Sequence, residues 1–161
     1  MWRFSRIAEL DLDRYAPPTA TATAPAGDSA LPPEVEPVCA AIGEHAALVV
    51  VRDGRIVCST LDDALQVKGV AVGELAAFDD PDDVLAHHGE VDGFGELNDA
   101  FAGDTVVVQV PKGVAVERPI VIAHWFGADG GSAFPRTIVR AGDASEVTVV
   151  ECLASPDIEG F

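Results

Sequence analysis

VVVQVPKGVAVERPIVIAHW, residues 106–125, contains three short runs rich in valine and isoleucine, parted by Pro-Lys-Gly and Glu-Arg-Pro. Each run is too short for a helix, and each break is too small for a true loop. Side chains alternate along a strand, so Val106, Val108 and Val110 face one way and Val107 and Gln109 the other. Pro111 and Pro119 sit at strand boundaries, where a missing backbone donor does least harm. Strands of this length with corner-like breaks predict the start of a right-handed parallel β-helix. In such a coil each rung bonds its backbone to the rung below and buries its inward side chains on it. An antiparallel sandwich or barrel uses similar strand lengths, so periodicity alone leaves it open.

The same texture continues downstream. From residue 105 to residue 151 the chain reads strand, turn, strand: a glycine-rich loop GADGGSA, then RTIVR, AGDAS and EVTVVEC. Upstream the texture differs. Residues 1–15 form a lead segment anchored by Trp2, Phe4, Ile7, Leu10 and Leu12. Residues 16–37 hold six of the eleven prolines among alanine and threonine, and read as a linker with little to bury. Residues 38–102 form a small α/β region. A helical pattern spans residues 34–47, with Pro37 in its first turn and Val35, Val38, Cys39, Ile42 and Ala46 at helical spacing. LVVVRDGRIVCS is a hairpin about Asp53-Gly54, because a type I′ turn needs positive φ at both central positions. A short strand is expected at residues 70–72, followed by a helical turn. Phe94, Leu97 and Phe101 mark one face of a short helix stopped at Gly103. Residues 103–161 are then the first rungs. The final residues, ASPDIEGF, follow a strong strand directly, whereas a solenoid needs several repeats and a cap. The 161 residues are therefore expected to be the front part of a longer protein.

Composition narrows the function classes. A formal net charge of −17 leaves no basic stripe for nucleic acid or for an anionic membrane surface. With 48% hydrophobic residues, most of the chain can fold. No apolar run approaches the length of a membrane span, and the charged N-terminus is not a signal peptide. Three widely spaced cysteines fit a reducing, cytoplasmic compartment.

The candidates for chemistry each meet an ordinary alternative. Cys39 and Cys58 are expected to be small buried hydrophobes, and Cys152, beside Glu151, a dulled nucleophile. His87 and His88 could hold a metal with Asp82, Asp83 or Glu90, but a solvated acidic loop explains residues 79–92 equally well. His124 shares a strand face with Ile120 and Ile122, so a buried, hydrogen-bonded imidazole is expected. His45 reads as surface. No phosphate-binding loop, nucleophile elbow or paired metal motif occurs. Catalytic, cofactor-binding and metal-binding residues are therefore expected to be none, and the chain is expected not to be an enzyme.

The stretch FGELNDAFAGDTVVVQVPKGVAVERPIVIAHW resembles the SufB/SufD family of the SUF iron–sulfur cluster assembly machinery. The resemblance rests on Phe94, Leu97, Asn98, Val110, Pro111, Gly113, Val114, Val116, Pro119 and Ile120. FPRTIVRAGDASEVTVVE is similar to the family's next rungs through Pro135, Arg136, Gly142, Ser145 and Glu151. WRFSRI at the start, and the hairpin followed by KGVAVGEL, favour the SufD branch. The resemblance implies a β-helical scaffold behind a small α/β region. It also implies pairing with a SufB-like sister subunit and with a SufC-like ATPase through a C-terminal helical region. The iron–sulfur cluster belongs to the full complex, and its ligands to rungs beyond residue 161, so no ligand is carried onto this segment. A β-helical enzyme, of the acyltransferase or polysaccharide-lyase kind, and a free-standing β interaction module or barrel remain as alternatives.

Overall fold

The computed structural model describes residues 11–14, 33, 35–79, 92–127 and 130–156. Most of the lead segment and linker lies outside them, as does nearly all of the acidic loop with His87, His88, Asp82, Asp83 and Glu90. The described chain is mainly β, with several short helices.

The helix α1, Glu36–Ile42, is shorter than the pattern predicts. Pro37 lies in its first turn, but Gly43 (φ 81°) ends it, and Ala46 already bonds to the Pro119 carbonyl at 2.8 Å. The hairpin forms as expected from β1, Ala47–Arg52, and β2, Arg55–Leu61. Asp53 (φ 46°) and Gly54 (φ 82°) supply the left-handed turn. A bulge between Val50 and Val51 leaves Val57 unpaired. It turns Cys58 toward α1 while Ile56 stays on the opposite face. Then come α2, Asp63–Val67, and β3, Ala71–Glu74, with a 3₁₀ turn at Leu75–Ala77. The helix α3, Gly93–Phe101, is capped by the Asp92 carboxylate, which accepts from the Gly95 amide at 2.9 Å. The remaining strands are β4, Val106–Val110, β5, Ile120–Trp125, β6, Thr137–Ala141, and β7, Val149–Ala154.

The strands form two sheets, ordered β2-β1-β5-β7 and β3-β4-β6. Both are mixed. The pairs β1–β5, β5–β7 and β4–β6 are parallel, while β1–β2 and β3–β4 are antiparallel. The sheets are thus not the uniform parallel solenoid expected from residues 106–125. The hairpin explains one exception, because its two-residue turn forces β2 to run back along β1. The segment VAV supplies one parallel bridge, Ala115 with Glu146, and no full strand, since it occupies a corner between two proline-bounded turns.

The core lies between the sheets. Val106, Val108 and Val110 meet Ala47, Val49, Val51, Ile120 and Ile122 there. The other face of β1 and β5, through Leu48, Val50, Val121 and Ala123, packs under Val35 and Cys39 of the α1 region. β4 and β5 are buried on both faces, Val107 included, which is why the sequence shows near-continuous apolar runs there. Each fully buried valine contributes about 1.5–3 kcal/mol relative to exposure.

Candidate functional site

The most organised feature is a stacked platform. Residues 106–126 lie in parallel register on residues 136–154, and the bonding carries on through the corners. Val106 donates to Arg136, Gly142 to Val110, Gly113 to Asp143, Glu146 to Val114, Val116 to Glu146, Ile120 to Thr148 and Phe126 to Ala154, all at 2.8–3.0 Å. The turn Pro-Lys-Gly sits directly on Gly-Asp-Ala. A Cβ at Gly142 would lie 2.5 Å from the Lys112 amide nitrogen, so only glycine lets these two turns touch. Ser145 Oγ closes the lower turn by donating to the Gly142 carbonyl at 2.7 Å.

A second set of contacts locks α3 onto the platform. Asn98 Nδ2 donates to the Pro135 carbonyl at 3.0 Å, and Arg136 Nε donates to Asn98 Oδ1 at 2.7 Å. The Arg136 guanidinium also pairs with Asp99. Phe101 is exposed rather than turned to the core, and its ring packs in a tilted arrangement against Phe134, the residue before Pro135, with centroids 5.9 Å apart. At the other end, Asp104 accepts from Arg55 at 2.7 Å and from the Ile56 amide at 2.8 Å. That pairing fastens the hairpin to the start of β4.

His124 is buried at 3% exposure, as its strand face predicts. Its Nε2 lies 3.3 Å from Glu151 Oε1, which also accepts from Thr137 Oγ1. Glu151 and Thr137 belong to different sheets, so this carboxylate bridges β7 to β6 across the open side of the core. The imidazole stacks on Phe126 at 6.2 Å. His124 Nδ1 has no hydrogen-bond partner among the described residues. A pair of this kind can orient and hold a proton, but it forms no nucleophile–base relay.

β6 and β7 are edge strands of their respective sheets. Val139 and Leu153, on their core-side positions, are 46% and 68% exposed. Among the described residues the platform therefore ends in two strand edges that pair with no further strand, with apolar side chains between them.

The three cysteines are free. Cys39 and Cys58 are buried, as expected, and Cys152 is half-buried on β7. Burial, and then the neighbouring Cys152 and Cys58 thiols, push the Cys39 thiol up. His45, half-buried, places its Nδ1 3.0 Å from the Gly43 carbonyl. Among the described residues no group of three or more His, Cys, Asp or Glu is arranged to hold a metal ion. No described helix is long and apolar enough to cross a membrane. Sequence reading missed the Asn98–Arg136 lock and the convergence of the cysteines. Neither has a local signal, since the partners lie far apart in the chain.

No protein-family model matches the chain. It is similar to protein ABCI7, chloroplastic, of Arabidopsis thaliana, at 27% identity over 124 residues. That alignment covers 70% of this chain and 26% of the relative, so the chain spans about a quarter of the protein it matches.

Proposed function

We propose that this chain is part of a non-catalytic scaffold for iron–sulfur cluster assembly, of the SufD type. The observation that carries the reading is the lock between α3 and the platform. Asn98, Pro135 and Arg136, three of the residues on which the family resemblance rests, meet one another in space. Gly142, Ser145 and Glu151, from the same set, each hold a specific contact of the platform. The partial match to protein ABCI7 supports the coarser part of the reading, a role in iron–sulfur cluster assembly.

In this reading the parallel layers 106–126 and 136–154 are the first two coils of a right-handed β-helix, and β2 and β3 are antiparallel additions from the preceding α/β region. The scaffold's work is mechanical. A rigid wall of backbone-paired coils positions a SufB-like sister subunit, and a SufC-like ATPase engages a region outside these residues. The cluster is cargo of the whole complex. No residue of this segment is assigned to it.

The test is affinity purification of the natural full-length protein, tagged at its own locus, under anaerobic conditions. Recovery of an ATPase and a second β-rich subunit, with loss of iron–sulfur enzyme activity on depletion, is the expected result. A protein purified alone, whose depletion leaves those enzymes intact, would sink the proposal and favour a free-standing β interaction module.

A further inference from the structure

The side of the core between β6 and β7 is spanned by the Glu151 carboxylate. Its Oε1 accepts from Thr137 Oγ1 on β6 and lies 3.3 Å from His124 Nε2 on β5. A carboxylate can only accept, so the neutral imidazole carries its proton on Nε2 and donates it to Glu151. Nδ1 is then a bare acceptor, which agrees with its having no hydrogen-bond partner among the described residues. In register, Val51 of β1 flanks His124 on one side and Leu153 of β7 on the other, and the Phe126 ring stacks on it. Across the core, β4 presents Val106, Val108 and Val110, and their partners in β6 are Thr137, Val139 and Ala141. On β3, Glu74 pairs with Val106 and is exposed. Arg55 is engaged by Asp104, and Arg136 by Asn98 and Asp99. Glu151 is thus the charged group that the structure sets against His124.

That surrounding decides what added protons do. A proton on Nδ1 alone makes a buried cation beside a carboxylate, and the pairing offsets the burial. A second proton, on Glu151, removes the counter-charge. His124 is then an imidazolium at 3% exposure with no partner charge, and moving it into water is strongly favoured. Solvent can deliver that second proton, because the Glu151 side chain is 44% exposed.

We propose that His124 and Glu151 form an acid-released latch between the two sheets. The latch holds while Glu151 is charged. It lets β6 and β7 part when both groups are protonated, because the parted state binds more protons than the closed one. On the opposite side of the core, Ser59 Oγ of β2 donates to the Val72 carbonyl of β3 at 3.5 Å, a contact without a titratable group, so that side stays closed.

The experiment is hydrogen exchange of the natural full-length protein between about pH 8 and about pH 4, corrected for the intrinsic pH dependence of exchange and read by peptide. In the wild type, protection of β6 and β7 is expected to fall roughly tenfold or more at the acid end, while β1 and β2 keep theirs. Glu151→Gln keeps an acceptor but no charge, so one proton suffices and the loss should begin roughly one pH unit higher. His124→Phe should show no acid-dependent loss confined to β6 and β7. Parallel loss in wild type and His124→Phe overturns the latch, as does Glu151→Gln opening at or below the wild-type pH. Imidazole nitrogen shifts of the wild type need no variant that misfolds. A neutral ring protonated on Nε2 supports the proposal, and one protonated on Nδ1 overturns it.

Discussion

Asn98 and Arg136 lie 38 positions apart in the chain, yet the Arg136 Nε–H donates to Asn98 Oδ1 at 2.7 Å. Asn98 spends its amide nitrogen on the Pro135 carbonyl at the same junction. One side chain on α3 thus satisfies both a donor and an acceptor where the chain enters β6. Removing it leaves a half-buried guanidinium and a proline carbonyl short of partners.

Asn98→Ala should therefore lower stability by about 1–3 kcal/mol, the cost of leaving such groups unsatisfied. Asn98→Asp should cost less, since it keeps the acceptor for Arg136 and loses only the donor. Urea midpoints at a common slope check the order. Equal midpoints for Ala and wild type would show that the lock contributes nothing.

The two stacked turns give a paired prediction. Gly142→Ala puts a methyl group against the Lys112 and Pro111 backbone, which cannot rotate away, so the layers must part. A loss of about 2 kcal/mol or more is expected, as for overpacked cores. Gly113→Ala, in the partner turn, meets no atom within 4 Å and suffers only its positive φ of 72°. It should lose about 1 kcal/mol. Thermal melts of the two variants side by side decide it.

His124 carries a buried acceptor, Nδ1, with no donor among the described residues. His124→Phe removes that atom together with the 3.3 Å contact to Glu151. The two effects oppose, and the variant should melt within about 1 kcal/mol of wild type, because replacing a polar group by an apolar one of similar shape can be nearly neutral. A loss beyond that would mean that the Glu151 bridge depends on the imidazole.

The Cys39 thiol is pushed above its ordinary value of 9.0, chiefly by burial. The unfolded chain then ionises first as pH rises. The resulting stabilisation is fully present below pH 9.0, and is lost as pH climbs through the folded thiol's higher pKa. Urea midpoints of wild type should fall on the alkaline side more steeply than those of Cys39→Ala, whose limb lacks this group. Parallel limbs would remove Cys39 from the alkaline transition.

Chemical access to the thiols should follow burial. Cys152, half-buried on an edge strand, should react with a maleimide reagent in the native protein, while Cys39 and Cys58 react only after unfolding. Peptide mapping of the labelled chain reads the order directly.

What the sequence determined by itself is local. Asp53-Gly54 specified its hairpin because few other pairs tolerate two positive φ values in succession. Pro111 and Pro119 bounded their strands because proline offers no donor to a ladder. His124 was legible as buried because alternation put it beside Ile120 and Ile122. Alternation also assigned Val107 and Gln109 to the face opposite Val106, Val108 and Val110. It could not say that Val107 would be buried as fully as they are, since burial of the second face depends on what packs there. The tertiary structure alone decided that β3 runs antiparallel to β4, that Asn98 meets Arg136, and that Cys39, Cys58 and Cys152 share one side of one sheet. The physical reason is common to all three. Local preferences cost or contribute energy within a few residues, whereas strand partners and side-chain convergence are set by which distant surfaces bury the most apolar area together.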